Sequence, residues 1–254
     1  MPLPTSVKQG RNGTYLDLYP GSSYDPTRYE RPVVTVDIAI LRVQDGVIKV
    51  LMIRRAANDD KQCEAYPGCL ALPGGYIDIR NKESADAAAL RELREETGVK
   101  GVLVHRYSFE SDAERDPRWY TTDLVYYASL TEAQADKQAI VAGDDAESYQ
   151  WVALSGRMPR GLAFDHAKIL QGLHAHLKDR VWRYPDAFGF LGKKFTWSAL
   201  QGVFEALGGK AWAAGNFRRA VGRRFQVAPA GGEAVGAAGM GRPAALFSYG
   251  GEKL

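Results

Sequence analysis

The sequence predicts an α+β fold, in which a body of strands and helices is followed by a smaller helical segment rich in basic residues. Short runs of β-branched and aromatic residues alternate with segments of helical periodicity, so strands and helices are interleaved along the chain. The formal net charge of +3 is unevenly divided. Residues 191–254 carry nine bases and three acids (+6), which leaves 3 − 6 = −3 for the remainder. Two units with different partners are therefore expected.

Five strands are predicted in the body. The first two are joined through Gln44-Asp45-Gly46, which is a hairpin signal. The predicted strands span 33–43, 47–55, 101–110, 121–130 and 147–154. Residues 1–31 lack hydrophobic periodicity and contain many Pro, Gly, Ser and Asn residues, so an irregular arm is expected there.

Two helices are predicted between and after these strands. Ser84 is a suitable N-cap for a helix over 85–97, which Gly98 ends and in which Leu90 and Leu93 face inward. Asp165 is a suitable N-cap for the second helix, because an apolar stripe follows it. The stripe consists of Ile169, Leu170, Leu173 and Leu177.

The basic tail has the pattern of a helix-turn-helix. Thr196 can cap a first helix, which the glycines at 208–209 end, and a second helix over 215–225 buries Phe217 and Val221. The apolar side of the first helix consists of Trp197, Leu200, Phe204 and Leu207. The Gly/Ala-rich segment 228–243 is expected to form a flexible wing before a strand at 244–249.

The second helix of the tail is the candidate for binding in the major groove of DNA. Residues 206–232 contain no acid, and the arginines of this segment project mostly outward. The candidate DNA-binding residues are Asn216, Arg218, Arg219, Arg223, Arg224 and Arg242. The alternative is a solvated basic helix in a domain that binds no DNA. Contacts with phosphates predict strongly salt-dependent binding.

The composition excludes several classes of protein. No apolar run approaches the roughly 20 residues that span a bilayer, and the first residues lack the apolar core of a signal peptide, so a cytoplasmic protein without a membrane partner is expected. Cys63 and Cys69 are the only cysteines, which is too few for a four-ligand structural zinc site.

Three glutamates form the candidate metal site. Glu92, Glu95 and Glu96 are spaced at i, i+3 and i+4, so their carboxylates share one face of the predicted helix. Like charges at this spacing repel, and a divalent cation such as Mg²⁺ (or Mn²⁺) resolves the repulsion because it takes oxygen ligands. A solvated acidic face remains the alternative on these residues alone.

The residues around this cluster resemble the Nudix box. Glu83 is followed after seven residues by 91–99, Arg-Glu-Leu-Arg-Glu-Glu-Thr-Gly-Val, and this second half matches at every fixed position. The resemblance implies an α/β/α sandwich with a mixed sheet. It implies that Glu95 and Glu96 bind the metal, that Glu92 is a further ligand or activates water, and that Arg91 pairs with Glu83 as a structural brace.

The first half of the box departs from the pattern. Ile77 stands where the family has glycine, and Gly75 comes two residues too early, so the loop before Glu83 has a two-residue insertion. A loop can absorb such an insertion at small entropic cost. Gly74 and Gly75 are expected to frame the phosphates of a ligand.

The wider chain is similar to Nudix-related transcriptional regulators from about residue 31 to 249. The similarity lies in RDPR (115–118), LAFDH (162–166), 195–209, NFRRAV (216–221) and 241–249, which occur in the same order. It implies a Nudix domain that senses ADP-ribose or a similar sugar nucleotide, fused to a winged helix that binds operator DNA as a homodimer. Under this resemblance Arg115 and Arg118 contact ligand phosphates; the alternative is that they are ordinary loop charges. Arg54 and Arg55 end a strand that runs toward the box, so either can reach a diphosphate.

The predicted organisation is an arm at 1–31, a Nudix domain at 32–155, a linking helix at 156–190 and a winged helix at 191–254. Two functions remain open. The protein is a regulator of NAD or sugar metabolism that only binds its ligand, or it also hydrolyses ADP-ribose-like substrates, as the three intact glutamates favour. A plain hydrolase that uses the winged helix for protein or dimer contacts is the remaining alternative.

Overall fold

The computed structural model describes residues 8–9, 16–17, 29–56, 65–102, 104–137, 146–234 and 244–252. The strands are β1 (Lys8–Gln9), β2 (Leu16–Asp17), β3 (Val33–Gln44), β4 (Val47–Arg55), β5 (Leu70–Ala71), β6 (Gly74–Tyr76), β7 (Val104–Ser111), β8 (Thr121–Leu130), β9 (Ala146–Ala153), β10 (Phe225–Ala234) and β11 (Ala244–Glu252). The helices are α1 (Ala85–Thr97), α2 (Glu132–Lys137), α3 (His166–Arg180), α4 (Trp197–Gly208) and α5 (Ala214–Gly222), with a 3-10 helix at Pro185–Phe190.

A seven-stranded mixed sheet forms the body. Its main order is β5-β4-β3-β8-β7, with β6 paired to the first half of β3 and β9 paired to β4. Only β3 and β8 are parallel among these pairs. The mixed sheet agrees with the predicted fold class. Strands β4 and β8 have the predicted bounds, whereas β7 begins at Val104, three residues later than predicted.

The alternation of side chains along β3 separates two cores. Val36, Ile38 and Ile40 pack with α1 on one face, whereas Ala39 and Leu41 pack with α3 and the tail on the other. This arrangement gives the predicted α/β/α sandwich. The second core is continuous, since one cluster of buried residues contains the sheet, α3, α4 and α5.

Helix α1 has the predicted bounds and caps. The hydroxyl of Ser84 accepts a hydrogen bond from the Ala87 amide, and Gly98 adopts the left-handed conformation with φ of 70°. Leu93 is buried as predicted, but Leu90 is 46% exposed, which corrects the prediction that both face inward. Two fully buried alanines, Ala88 and Ala89, share the inward face instead, and their small side chains let the helix approach the sheet closely.

The tail contains the predicted pair of helices and a short sheet. The Thr196 hydroxyl caps α4 through the Ala199 amide, and Phe217 and Val221 of α5 are buried. Helix α5 is shorter than predicted, because Phe225 already begins β10, which pairs antiparallel with β11. Residues 228–234 of the predicted wing therefore belong to strand β10, which corrects the expectation of a loop there, and residues 235–243 lie outside the described residues.

Met1–Pro32 and Val33–Leu254 are two compact units. In the first unit β1 pairs antiparallel with β2, so the predicted irregular arm contains a short strand pair. In the second unit the sheet and the tail belong to the same compact body. Within the described residues, no helix combines the length and the apolarity needed to cross a membrane.

A buried cluster of charged residues, here called the α3 clamp, fixes the start of α3 to the sheet. It consists of Asp37 on β3, Asp123 on β8, Arg115 in the loop before β8, and Asp165 and His166 at the start of α3. The Nη2 atom of Arg115 lies 3.0 Å from Asp165 Oδ1, 3.4 Å from Asp123 Oδ2 and 3.6 Å from Asp37 Oδ2. Asp165 precedes α3 but makes no side-chain capping hydrogen bond, because its carboxylate binds Arg115. This contact corrects the predicted capping role.

Histidine 166 completes the clamp. Its Nδ1 atom accepts a hydrogen bond from the Leu72 amide at 2.9 Å, which leaves Nε2 to donate to Asp37 Oδ2 at 3.1 Å. The side chain is almost completely buried. The first residue of α3 is thus bonded to the β3 strand and to the residue after β5.

Replacement of Arg115 by methionine is expected to lower the free energy of unfolding by about 3–5 kcal/mol, because it removes the cation that the buried carboxylates of the clamp share. Urea denaturation at neutral pH measures this loss. The matched control is Arg183→Met, which breaks the exposed pair with Asp179 and is expected to change stability by about 0.5 kcal/mol or less. Equal stability losses in the two variants would contradict the assigned role of the clamp.

Candidate functional site

A cavity of about 570 Å³ lies where β3, β6, α1 and the start of α3 meet. It is lined by charged and aromatic side chains rather than by a purely apolar wall. Its functional lining consists of Asp37, Arg55, Gly74, Gly75, Tyr76, Arg91, Glu92, Glu96, Arg115, Asp116, Arg118, Phe164 and His166. The cavity therefore joins the predicted glutamate cluster to the α3 clamp.

The glycine pair Gly74-Gly75, which begins β6, is packed closely against β3 and the carboxylates of α1. A Cβ atom on Gly75 would lie 2.3 Å from Glu92 Oε1, and one on Gly74 would lie 2.2 Å from the Val36 carbonyl oxygen. The Gly74 amide donates a hydrogen bond of 2.8 Å to Glu96 Oε2. Glycine is required at both positions, because Gly74 lies directly against β3 and Gly75 lies directly against Glu92 of α1.

The brace between Arg91 and Glu83 is present as predicted. Arg91 donates from Nε to Glu83 Oε1 at 2.8 Å and from Nη2 to Glu83 Oε2 at 3.0 Å. The hydrogen bonds from Arg91 lower the pKa of Glu83 to about 2, so the carboxylate stays charged. Arg91 also donates to Glu92 at 2.6 Å, which links the brace to the cavity.

The inserted loop is closed by its own hydrogen bonds. Asp78 accepts from the amides of Arg80 and Asn81, and its own amide donates to Glu83 Oε2 at 2.8 Å. The Glu83 amide donates back to the Asp78 carbonyl at 3.0 Å. The two extra residues are thus held in a small turn. The glycine pair at 74–75 and Glu83 keep their contacts with α1.

The three glutamates have different environments. Glu92 and Glu96 line the cavity, whereas the half-exposed Glu95 pairs with Arg91 at 3.1 Å and Arg94 at 3.5 Å. Burial raises the pKa of Glu96 to about 8, and the charges of Glu92 and Asp37 add to the effect. Burial likewise raises the pKa of Glu92. The buried carboxylates are therefore in excess of the cations that surround them.

This donor set fits a hard divalent cation in its chemistry, because it offers carboxylate oxygens and surplus negative charge. Glu92 and Glu96 are the residues that can hold such an ion at the cavity. No three acidic, histidine or cysteine side chains converge on one metal position in the part of the chain that the structure describes. Glu95 has to leave its arginine partners before it can join the other two.

The arginine of β4 that faces the cavity is Arg55. The predicted Arg54 is not among the lining residues, and its Nη1 atom donates to the Gly68 carbonyl at 2.7 Å. Adjacent residues of a strand point to opposite faces, which explains why only one of them faces the cavity. The sequence alone left both arginines open.

Phe164 is a cavity residue that the sequence analysis did not single out. The guanidinium carbons of Arg55 and Arg118 each lie 5.5 Å from the centre of its ring. Phe164 also has a positive φ of 52°, which is rare for a bulky residue and often marks a functional site. Arg118 additionally pairs with Asp116 at 2.9 Å. The two arginines and the ring form a positively charged aromatic wall.

Helix α5 presents the predicted basic surface. Asn216, Arg218, Arg219, Arg223 and Arg224 are all exposed. Arg218 lies over the ring of Trp197 at 5.6 Å, Arg219 donates to Asn216 Oδ1, and Arg224 donates to the Trp182 carbonyl. Arg242 lies outside the described residues. The exposed arginines make this helix suited to contact a polyanion.

Comparison with known families and proteins agrees with this architecture. The NUDIX domain profile matches residues 31–173, and the NrtR DNA-binding winged helix domain profile matches residues 187–249. The ADPR responsive transcriptional repressor NtrR of Acinetobacter baylyi is 31% identical over 198 residues, which cover 78% of this chain and 75% of that protein. The ADP-ribose pyrophosphatase of Methanocaldococcus jannaschii is 33% identical over 143 residues, which cover 56% of this chain and 73% of that protein.

The similarity extends to solved structures. The crystal structure of Shewanella oneidensis NrtR complexed with a 27mer DNA superposes with a TM-score of 0.69 at 27% identity, covering 85% of this chain and 93% of that one. The superposition includes both the sheet and the tail, since it spans most of the chain. The protein therefore belongs to the Nudix family, and its Nudix domain is followed by an NrtR-type DNA-binding winged helix domain.

Proposed function

We propose that this protein is a transcriptional regulator whose Nudix cavity binds ADP-ribose or a related nucleoside diphosphate sugar. The observation that carries the proposal is that one compact unit contains both a cavity with an arginine–aromatic wall and a helix with exposed arginines. The regulator acts on operators of genes of NAD or sugar metabolism, and it binds DNA as a homodimer. A relative named as an ADPR responsive repressor supports this assignment.

The cavity has the chemistry that a nucleoside diphosphate requires. Arg55 and Arg118 supply positive charge for the two phosphates, and Phe164 and Tyr76 supply aromatic surface for the base or sugar. Arg115 was predicted to contact phosphate as well. Its guanidinium lines the cavity but is shared among three carboxylates, whereas Arg55 and Arg118 lie over the ring of Phe164. We therefore assign the main phosphate contacts to Arg55 and Arg118, and to Arg115 a weaker contact that competes with its carboxylate partners.

The surface of α5 supports the DNA-binding half of the proposal. In winged helices, as in other helix-turn-helix proteins, the second helix reads the major groove through its outward side chains. Asn216 and Arg219 lie on one face of α5 at i and i+3, with Asn216 in the first turn and Arg219 in the last turn. We assign base contacts to this pair and phosphate contacts to Arg218, Arg223 and Arg224.

Replacing both Arg218 and Arg219 by alanine is expected to weaken DNA binding at least about tenfold and to reduce the slope of log K against log salt by up to about 2. The measurement is fluorescence anisotropy with a duplex that the wild-type protein selects from a random-sequence library. The matched control replaces Arg157 and Arg160, two exposed arginines outside the tail, and is expected to bind as the wild type does. Undiminished DNA binding in the first variant would remove α5 as the recognition helix.

Hydrolysis of the ligand is the second candidate function. The observation that favours it is that all three glutamates of the box are retained and that Glu92 and Glu96 line the cavity. A bound Mg²⁺ or Mn²⁺ supplies charge stabilisation for the diphosphate and lowers the pKa of a water nucleophile. A relative named as an ADP-ribose pyrophosphatase supports this candidate. The protein would then remove its own signal by releasing AMP and ribose phosphate.

The change Glu96→Gln is expected to lower the rate of AMP release from ADP-ribose in Mg²⁺ by at least about 100-fold, because it removes a charged ligand at little steric cost. Chromatography of the products measures the rate. Glu132→Gln, an exposed acid at the start of α2, is the control and should retain the wild-type rate. If the wild-type protein binds ADP-ribose in a calorimeter but releases no AMP, the hydrolase function is excluded and the function as a ligand-binding regulator stands.

The elevated pKa of Glu96 predicts how stability depends on pH in the presence of a chelator. Its folded-state pKa of about 8 lies above the ordinary 4.5, so the folded protein holds this proton more tightly than the unfolded chain. The resulting stabilisation is present below pH 4.5 and is lost as the pH rises through 8. The free energy of unfolding of Glu96→Gln, relative to that of the wild type, is therefore expected to rise by about 1–3 kcal/mol from pH 4 to pH 9. Urea denaturation at both pH values, with Glu132→Gln as control, checks this; a constant difference would contradict it.

A further inference from the structure

We propose that the ion pair between Arg115 and Asp165 is the element that transmits ligand binding to the winged helix. The inference rests on the proposed function, since it concerns how a ligand in the cavity changes the affinity for DNA. It assigns Asp165, which does not line the cavity, as a positioning residue that acts through Arg115 and α3.

Arg115 lies between the cavity, where a diphosphate would bind, and the carboxylate of Asp165. Its guanidinium lines the cavity on one side and binds Asp165 through Nε and Nη2 at 3.3 and 3.0 Å on the other. Asp37 and Asp123, its remaining carboxylate neighbours, belong to the sheet. Asp165 alone among the three belongs to the segment that starts α3. A diphosphate in the cavity competes with Asp165 for the guanidinium, and the competition changes how firmly α3 is held.

Helix α3 is long and closely packed. The helix has 15 residues, so it is about 22 Å long at 1.5 Å per residue. Its apolar stripe is buried against both the sheet and the tail, and it consists of Ile169, Leu170, Leu173 and Leu177. A helix packed in this way moves as a unit, because a close-packed core does not deform continuously.

The residues that follow α3 contact the recognition helix α5. Val181 follows α3 and is fully buried, and the next residue, Trp182, packs on Phe204 of α4 and Phe217 of α5 with ring centres 4.7 and 6.2 Å apart. The carbonyl of Trp182 accepts a hydrogen bond of 2.9 Å from Arg224. A shift of α3 therefore reaches α5 through Trp182 without an intervening flexible segment.

The proposal satisfies the requirement that a ligand shifts an equilibrium only through differential interactions with the two states. In the state with α3 held, Arg115 is bound to Asp165. In the other state Arg115 is bound to the diphosphate, and α3 is held to the sheet by His166 and by its apolar stripe without this ion pair. The two states thus differ by a contact that the ligand itself replaces.

The test compares the affinity for DNA with and without saturating ADP-ribose, in a chelator so that no ligand is hydrolysed. The duplex is the one selected by the wild-type protein, and anisotropy gives the ratio of the two dissociation constants. The wild type is expected to show a ratio of at least about fivefold in either direction, and Asp165→Asn a ratio within about twofold of unity. Asp165 makes no side-chain capping hydrogen bond, so this variant removes the charge without removing a cap.

Two further variants separate coupling from stability. Asp179→Asn neutralises an exposed carboxylate of the same helix, paired with Arg183 at 3.1 Å, and is expected to keep the wild-type ratio. Asp165→Glu keeps the charge and is expected to restore at least part of the response. In calorimetry Asp165→Asn should bind ADP-ribose within about threefold of the wild type, because a coupling residue changes the response more than the affinity.

The outcomes are distinguishable. A wild type that binds neither ADP-ribose nor DNA contradicts the proposed function and with it this inference. A wild-type response that persists in Asp165→Asn, or a variant that loses ADP-ribose binding itself, overturns the inference and leaves the proposed function intact.

A second measurement keeps the proposal testable if Asp165→Asn does not fold. Hydrogen exchange of the wild type is compared with and without ADP-ribose. Altered exchange at residues 163–170 and around Trp182 supports the proposal. A change in DNA affinity with unaltered exchange in both segments overturns it.

Discussion

The structure depends on the way one buried guanidinium holds carboxylates from separate parts of the chain. Arg115 brings together Asp37 of β3, Asp123 of β8 and Asp165 at the start of α3, in a region that is almost closed to solvent. Burial and the charge of Asp37 raise the pKa of Asp123 well above its ordinary value, which limits the surplus of negative charge. Buried ion pairs contribute little net stability but are costly to break. The clamp therefore acts mainly as a fixed point from which the cavity and α3 take their positions.

The cavity shows how backbone and side chains are fitted to each other. Gly75 leaves room for Glu92 and Gly74 leaves room for β3 because neither carries a Cβ atom, and the Gly74 amide partly satisfies the carboxylate of Glu96, which burial otherwise disfavours. The opposite wall carries Arg55 and Arg118 on Phe164. Negative and positive walls in one cavity offer both kinds of group that a diphosphate with a divalent cation would need, since arginines suit phosphate and carboxylates suit such a cation.

The sequence predicted the parts of the fold that local signals determine. The caps at Ser84 and Thr196, the stripe of α3 and the strands β4 and β8 follow from patterns within a few residues. The features it missed are set by distant contacts. Arg115 carries no local sign that its partners lie on three other elements, and the choice of Arg55 over Arg54 depends on which face of β4 meets the cavity. The role of Phe164 was equally hidden, because the two arginines that lie over its ring come from distant parts of the chain.

The continuity of the second core has a consequence for regulation. Since the sheet, α3 and the winged helix share one buried cluster, the ligand cavity and the DNA-binding helix are parts of one cooperative body. The coupling between the two sites is reciprocal. If a ligand changes the affinity for DNA by some factor, DNA changes the affinity for the ligand by the same factor. In a protein that also hydrolyses its ligand, occupancy of the operator would therefore alter the amount of ligand held for hydrolysis. Ligand binding, hydrolysis and DNA binding would then all depend on the same conformational equilibrium.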